Sequence, residues 1–382
     1  MTLLAIAFWL SCALLVWTQV GYRLALGLVA RLRAGSPPRG VHPPAPQQPP
    51  AMSLIVAAHD EQEVIAAKVA NALALEYPRE RLEVIVACDG CGDETATRAR
   101  QAGADLVLEL PRGGKIRAQD AGVAKARGEI LAFSDANSLW DADAARELAG
   151  AFADREVGYA CGQVRFTAPD GATNQEGLYW RYELSLRELE SRLSSITAGN
   201  GAIYATRRES YIVVDPIMGH DLSLPFNIVK EGLRAVYVPA ARAREKMVPS
   251  LEGEFERKRR MMSHTWPILL QGGMLSMRGY PPGYALMIIS HRLLRYGSPI
   301  LHLVALVSNV ALVALGAGTF YAVTLVLQLG LLAAAALGGL LSARVLLIAR
   351  YYVLTTASCA AGLWDWLRHG TSASWEAAEG TR

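Results

Sequence analysis

The sequence predicts an α/β domain on a mainly parallel sheet, set between transmembrane α-helices. Three observations predict it: charge-free apolar stretches near both ends, a proline-rich break after the first, and apolar strands alternating with helices in between. The chain has 382 residues, 52% hydrophobic and 19% charged, and the apolar residues are unevenly spread. A net charge of +3 gives no argument for nucleic acid as a partner.

From Met1 to Tyr22 no residue is charged, and about 20 apolar residues cross a bilayer as a helix. No basic segment precedes the run and no small-x-small cleavage site follows it. Residues 1–30 therefore read as an anchor rather than a secretory signal. Arg23, Arg31, Arg33 and Arg39 follow, which places the next segment on the cytoplasmic side and the N-terminus outside. Ser36–Pro50 holds seven prolines in fifteen residues, so 31–50 reads as an extended linker. At the other end, Tyr296 to Ala343 runs 48 residues without Asp, Glu, Lys or Arg. That is enough for two spans, hinged near Gly316-Ala317-Gly318. A third stretch, Tyr351–Trp364, is short for a span unless Arg350 snorkels. The region 284–368 thus reads as two or three membrane helices, with 369–382 as a tail.

Between these ends the pattern changes. Ser53–Ala58 and Glu83–Cys88 read as buried strands, each followed by a helix, from Glu63 to Leu75 and from about Glu94. Asp105–Leu110 is a third strand, Lys115–Ala126 a helix, and Glu129–Ser134 a fourth strand. Continuous apolar strands alternating with helices make a parallel sheet covered on both faces. Ligands of such sheets sit outside the carboxyl ends of the strands, and polar residues stand there: His59, Asp60 and Glu61, then Asp89, then Asp135 and Asn137. The G-x-G-x-x-G of a dinucleotide site is absent after the first strand. Several acidic groups at one edge suit a divalent cation with a sugar or ribose. Five cysteines, at 12, 88, 91, 161 and 359, give no disulfide framework. Cys88 and Cys91 form a lone C-x-x-C, a redox pair or half a zinc site if read by spacing alone.

The stretch from about Ser53 to Trp266 resembles the family 2 glycosyltransferases, the group that contains cellulose, chitin and hyaluronan synthases and has the GT-A fold. Ala57-Ala-His-Asp-Glu61 stands where that family has P-A-x-N-E. The resemblance implies that Ala57, Asp60 and Glu61 line a nucleotide pocket. Cys88-Asp-Gly-Cys-Gly-Asp93 is similar to (S/D)-D-G-S-x-D, which implies that Asp89 faces base and ribose and gives the two cysteines positions usually held by serine. Gly114-Lys115 resembles the start of G-K-x-x-A-L-N, with Lys115 near the nucleotide, where its charge offsets phosphate. Ser134-Asp-Ala-Asn137 stands at the D-x-D metal motif. Asp135 and Asn137 would hold Mg or Mn against the diphosphate, with an amide replacing the second carboxylate.

Met218-Gly-His-Asp221 stands where the family has its general base. Inverting transfer needs a base to take the acceptor hydroxyl's proton, and Asp221 matches by position; it is also a good helix N-cap. Gly199-Asn200-Gly201 resembles the acceptor-side loop. Trp180, Tyr182, Glu176 and Glu183 lie on one helix upstream, with Trp180 as a sugar platform or a core residue. In the segment 251–280, an amphipathic interfacial helix, Arg257-x-x-Arg260-Met261 replaces Q-x-x-R-W. Arg257 and Arg260 retain charge for the diphosphate, while the lost Trp weakens a processive synthase reading.

The resemblance implies a membrane-bound inverting transferase. Its domain (51–250) would be cytoplasmic, at a bacterial plasma membrane. It would move a sugar from a nucleotide-sugar, with UDP-sugars first, to a lipid-linked or saccharide acceptor. A processive synthase and a non-catalytic assembly partner are the other readings. Homo-oligomerisation and an export partner stay open.

Overall fold

The computed structural model describes residues 1–33, 48–167, 175–246 and 251–373. Most of the linker at 31–50, and the tail beyond 373, lie outside the described residues.

The first four strands form where uninterrupted apolar runs were read. They are β1 (Met52–Ala58), β2 (Leu82–Asp89), β3 (Leu106–Leu110) and β4 (Ile130–Asp135), all parallel. The sheet is completed by β5 (Leu139–Trp140), β6 (Val157–Thr167), β7 (Tyr204–Arg207) and β8 (Arg234–Lys246), in the order β3-β2-β1-β4-β7-β6-β8-β5. β7 enters antiparallel to both β4 and β6, and β8 runs parallel to β6. The sheet is mostly parallel, with a mixed half that the alternation of strands and helices did not foretell.

Helix α1 spans Thr2–Leu32, ten residues beyond the charge-free run. Within the domain, α2 (Ile65–Leu73), α3 (Thr95–Gln101), α4 (Lys115–Lys125) and α5 (Ala144–Ala151) are followed by α6 (Gln175–Leu193) and α7 (His220–Lys230). Then come α8 (Leu251–Leu270), the bent pair α9 (Pro282–Tyr296) and α10 (Ser298–Ala314), α11 (Thr319–Leu337) and α12 (Arg344–His369). The break between α10 and α11 falls at Gly316 and Gly318, both with positive φ, a backbone shape that glycine adopts without strain. Tyr351–Trp364 lies inside the longer α12, and Arg350 donates to Glu252 Oε1 at 2.7 Å.

Alternate residues of each central strand face opposite layers. Leu54, Val56, Val84 and Val86 pack under α2, α3 and α5 with Ile65, Val69, Ala99 and Leu148. The other face, Ile55, Ile85 and Phe133, shares a core with Tyr22 of α1, Trp266 of α8, Tyr284 of α9 and Cys359 of α12. The apolar helices therefore pack directly onto the domain. Helix α8 lies along α12. Arg259 grips Asp365 with two hydrogen bonds of 2.6 and 2.9 Å, Lys258 donates to Tyr351 at 2.7 Å, and the Trp266 indole donates to Cys359 O at 2.9 Å. A Cβ on Gly362 would stand 2.5 Å from that of Met262, so the small residue is what lets the two helices meet.

A buried polar knot ties α1, α6 and α9. Tyr22 donates to Glu190 Oε1 at 2.8 Å, His291 Nδ1 lies 2.7 Å from the same carboxylate, and Thr197 N–H donates to Glu190 Oε2 at 3.1 Å. Glu183 pairs with Arg295, and Arg292 donates to Thr197 Oγ1 at 2.8 Å. Glu190 is fully buried and His291 nearly so. Removing one member of such a cluster strands the others without water or countercharge. Glu190→Ala is expected to lower stability by about 3–5 kcal/mol, read as a fall in thermal midpoint of the detergent-solubilised chain, with Glu190→Gln falling less. A change within about 0.5 kcal/mol for Glu190→Ala would show that the knot is not a stabilising contact.

Candidate active site

The parallel register places the carboxyl ends of three strands side by side, with Ala57 opposite Asp135 and Ala58 opposite Cys88. Residues that follow these strands share one edge. His59 Nδ1 is 2.8 Å from Asp89 O, and Asp60 Oδ1 accepts from Gly92 N–H at 2.8 Å. Asp60 has φ +51, alone among described non-glycine residues with positive φ. Glu61 is buried, and its N–H donates to Thr95 Oγ1 at 2.8 Å.

Two expectations for this edge need correction. Ala57 has no exposed surface and packs with Ala87 and Ala118, because it lies inside a central strand. Asp89 does not turn its carboxylate outwards. It is buried and accepts from Gly113 N–H at 2.6 Å and Gly114 N–H at 2.9 Å, holding the turn before α4. Gly114, with φ +95, caps that helix. A Cβ there would stand 2.1 Å from Ala373 O, so the chain beyond α12 returns to the turn that presents Lys115.

Lys115 pairs with Asp135. Burial disfavours its charge, but Asp135, with Asp221 and Glu245 behind it, raises the ammonium's pKa. A Cβ on Gly201 would lie 3.1 Å from Lys115 Nζ and 3.6 Å from Asp135 Oδ2, so the 199–201 loop lies directly against this pair. Gly199 N–H donates to Asp221 O at 2.7 Å, and Arg187 donates to Gly199 O at 3.0 Å. The structure thus brings Lys115, Asp135, Gly199, Gly201 and Asp221 together, with Asn137 in the turn after β4. Asp221 is in the first turn of α7, whose N-cap is Gly219, so it is not the cap.

Other expectations meet different surroundings. Asn200 is spent on the loop itself: its amide donates to Gly162 O at 2.8 Å, and its oxygen accepts from Ala202 and Ile203 N–H at 3.1 and 2.9 Å. The Trp180 indole donates to Val164 O at 3.1 Å and meets Phe166 edge-on at 5.3 Å, which makes it a packing residue of β6. Glu183 belongs to the buried knot, and the Glu176 side chain lies outside the described residues. Arg257 grips Glu254 on its own helix at 2.7 and 2.8 Å, while Arg260 is exposed on α8.

Three residues went unnoticed in the sequence. Glu245 sits near the end of β8, one residue past the pairing of Arg244 with Leu139. Burial and Asp135 push its carboxyl up to about 7, against the pull of Lys115 and Arg257. Lys68 is fully buried and donates to Ser138 O at 2.7 Å, pinning the turn after Asp135; burial lowers its pKa to about 7. His220 bridges Tyr204 and Tyr211 hydroxyls at 3.1 and 3.3 Å, and burial, helped by Lys115, lowers its pKa to about 3. No spacing in the sequence signals Glu245 or Lys68, whereas His220 adjoins the expected base.

The mannosyltransferase PcManGT from Pyrobaculum calidifontis, solved in complex with GDP-Man and Mn2+, matches 95% of this chain and 99% of its own, with a TM-score of 0.70 at 22% identity. The fold is therefore that of a GT-A glycosyltransferase. The chain belongs to the glycosyltransferase like family 2, whose profile matches residues 49–263. Glycosyltransferase AglE of Haloferax volcanii is 31% identical over 137 residues, 33% of this chain and 43% of that protein. An N-acetylglucosaminyltransferase of Rhizobium sp. is 23% identical over 230 residues, 55% of this chain and 51% of that protein. The chain spans about half the length, or less, of these curated relatives.

Two predictions test this geometry. His220 is held neutral in the fold, whereas an unfolded histidine takes up a proton near pH 6.5. Its contribution to stability is therefore complete above pH 6.5 and is lost as pH falls towards about 3, by up to about 1.4 kcal/mol per pH unit. His220→Gln is expected to flatten that part of the stability–pH curve; an unchanged slope would contradict it. Separately, a Cβ on Gly199 would stand 2.0 Å from the buried Tyr159 hydroxyl. Gly199→Ala should destabilise the chain, and Tyr159→Phe in the same chain should restore at least about 1 kcal/mol in a double-mutant cycle.

Proposed function

We propose that the chain is a membrane-bound inverting glycosyltransferase that moves a sugar from a UDP-sugar to a lipid-linked or saccharide acceptor. In this reading it works on the cytoplasmic face of a bacterial plasma membrane. The observation that carries the proposal is the meeting of Lys115, Asp135 and Asp221 around Gly199 and Gly201, at the carboxyl edge where α/β sheets take their ligands. Asp221 takes the proton of the acceptor hydroxyl as its oxygen attacks the anomeric carbon. Lys115 and Arg260 supply positive charge for the departing diphosphate, while Arg257 is held by Glu254.

Asp135, Asn137 and Glu245 are all oxygen donors, the ligand type that Mg2+ and Mn2+ take. They would hold such an ion, which supplies neutralisation of charge on the leaving group. Glu245 brings the second carboxylate that Asn137 lacks.

Support for the membrane comes from the helices. Among the described residues, α1, α11 and α12 are each long and apolar enough to cross, and α9 with α10, bent by 62°, would make a fourth span if they act as one. Leu3, Leu10, Val326 and Leu327 are exposed on them, where lipid accounts for apolar surface that water would not. Three or four spans suit limited transfer more than the helix-lined channel of a polymer synthase.

The test is donor turnover by the full chain in detergent, with a panel of UDP-sugars and GDP-mannose, with and without Mn2+ or Mg2+. One donor should release its nucleoside diphosphate, and Asp221→Asn should slow release at least about 100-fold. Equal rates would remove Asp221 as the base. Absence of turnover with every donor, lipid acceptor present, would favour an assembly partner. Long polymers from monomeric protein would favour a processive synthase.

A further inference from the structure

We propose that His59, Asp60 and Cys91 form a binding site for a soft divalent cation of the Zn2+ class, distinct from the oxygen-rich cluster at Asp135. Each offers one ligand atom, an imidazole nitrogen, a carboxylate oxygen and a sulfur, and these all lie within 4.8 Å of one another. His59 Nε2 faces Asp60 Oδ2 at 3.6 Å. Zinc bonds of about 2.0–2.3 Å put neighbouring tetrahedral ligands about 3.3–3.7 Å apart, so closing on an ion takes side-chain movements of about 1 Å.

The arrangement is held from behind. His59 Nδ1 is 2.8 Å from Asp89 O; donation to that carbonyl selects the tautomer whose Nε2 can ligate, as in most histidine metal sites. Asp60 Oδ1 accepts from Gly92 N–H at 2.8 Å, which fixes the carboxylate while Oδ2 faces the imidazole. The Cys91 sulfur lies 3.5 Å from Ala58 O. The ligands thus follow the ends of two paired, buried strands, β1 and β2, and the positive φ of Asp60 is spent in setting this turn. Cys91 is partly exposed while Cys88 is buried; the two thiols share a hydrogen bond, and Cys91 also meets the residues that follow β1.

Nitrogen, sulfur and one carboxylate oxygen select Zn2+ over Mg2+, which prefers oxygen throughout. Three protein ligands leave a tetrahedral position for water or an incoming group. Binding releases the Cys91 thiol proton to solvent. Because the His59 ring also touches the Asp89 carbonyl, the site adjoins the turn that presents Lys115.

The experiment uses the full chain in detergent with Co2+ as a spectroscopic probe and Zn2+ as competitor, in excess Mg2+. The wild type should show thiolate-to-cobalt charge-transfer absorption, removed by Zn2+ and not by Mg2+. Cys91→Ser should abolish the band, Cys88→Ser should retain it, and His59→Gln should weaken Zn2+ affinity at least about 10-fold. Thermal midpoints of the metal-free variants check that each is folded. No band in the wild type, a band that survives Cys91→Ser, or Co2+ displaced by Mg2+ would overturn the assignment.

Discussion

The parallel register of β1, β2 and β4 is the constraint on which the rest depends. Since Ala57 stands opposite Asp135 and Ala58 opposite Cys88, chain reversals that begin at residues 59, 89 and 135 must share one edge. Backbone groups inside the sheet are paired with each other, so unpaired donors and polar side chains collect where pairing ends. The Asp89 carboxylate uses this economy. It satisfies two glycine N–H groups of the next crossover, and so the position of one strand end sets the start of the helix that carries Lys115.

The second organising feature is the core that the domain and the apolar helices share among the described residues. Trp266, Tyr284 and Cys359 belong to the same buried cluster as Ile55 and Phe133. Shared packing of this kind transmits displacement, because close-packed interiors deform little. The loop of residues 197–201 is held by Glu190 and Arg187 of α6 on one side and by Asp221 on the other. Glu190 also ties the loop to Tyr22 of α1 and His291 of α9.

Much of this was legible in the sequence, for identifiable reasons. The central strands were readable because a strand buried on both faces is apolar at every position, as Leu54-Ile-Val-Ala-Ala58 is. The glycine hinge at 316–318 was readable because few other residues suit positive φ. The mixed half of the sheet was less so: β6 and β8 pair across more than seventy residues of chain, and nothing local specifies that partner. Glu245 was missed for the same reason, since its neighbours belong to β4 and α4. Asn200 was placed at a ligand, and Trp180 was left open between a sugar platform and the core. Their residue types suit a ligand, but hydrogen bonds to Gly162, Ala202, Ile203 and Val164 show both committed to the protein itself. A spacing can place a residue at a loop, yet whether its polar atoms face inwards depends on backbone groups far away in sequence.

The polar knot at Glu190 has a consequence for the order of synthesis. Tyr22 emerges with the first helix, but its acceptor lies 168 residues later, and the partner of Trp17, Ser290, lies 273 residues later. Until α9 is made, α1 carries Trp17 and Thr18 without their partner Ser290, and α6 carries a carboxylate awaiting His291. The intervening domain must then form its sheet while tethered at one end only, since domains generally fold as units during synthesis. Arrival of α9 closes the circuit, joining the earliest helix to one of the last. Synthesis of α9 thus brings a locking step, in which later residues decide whether the early ones are correctly housed.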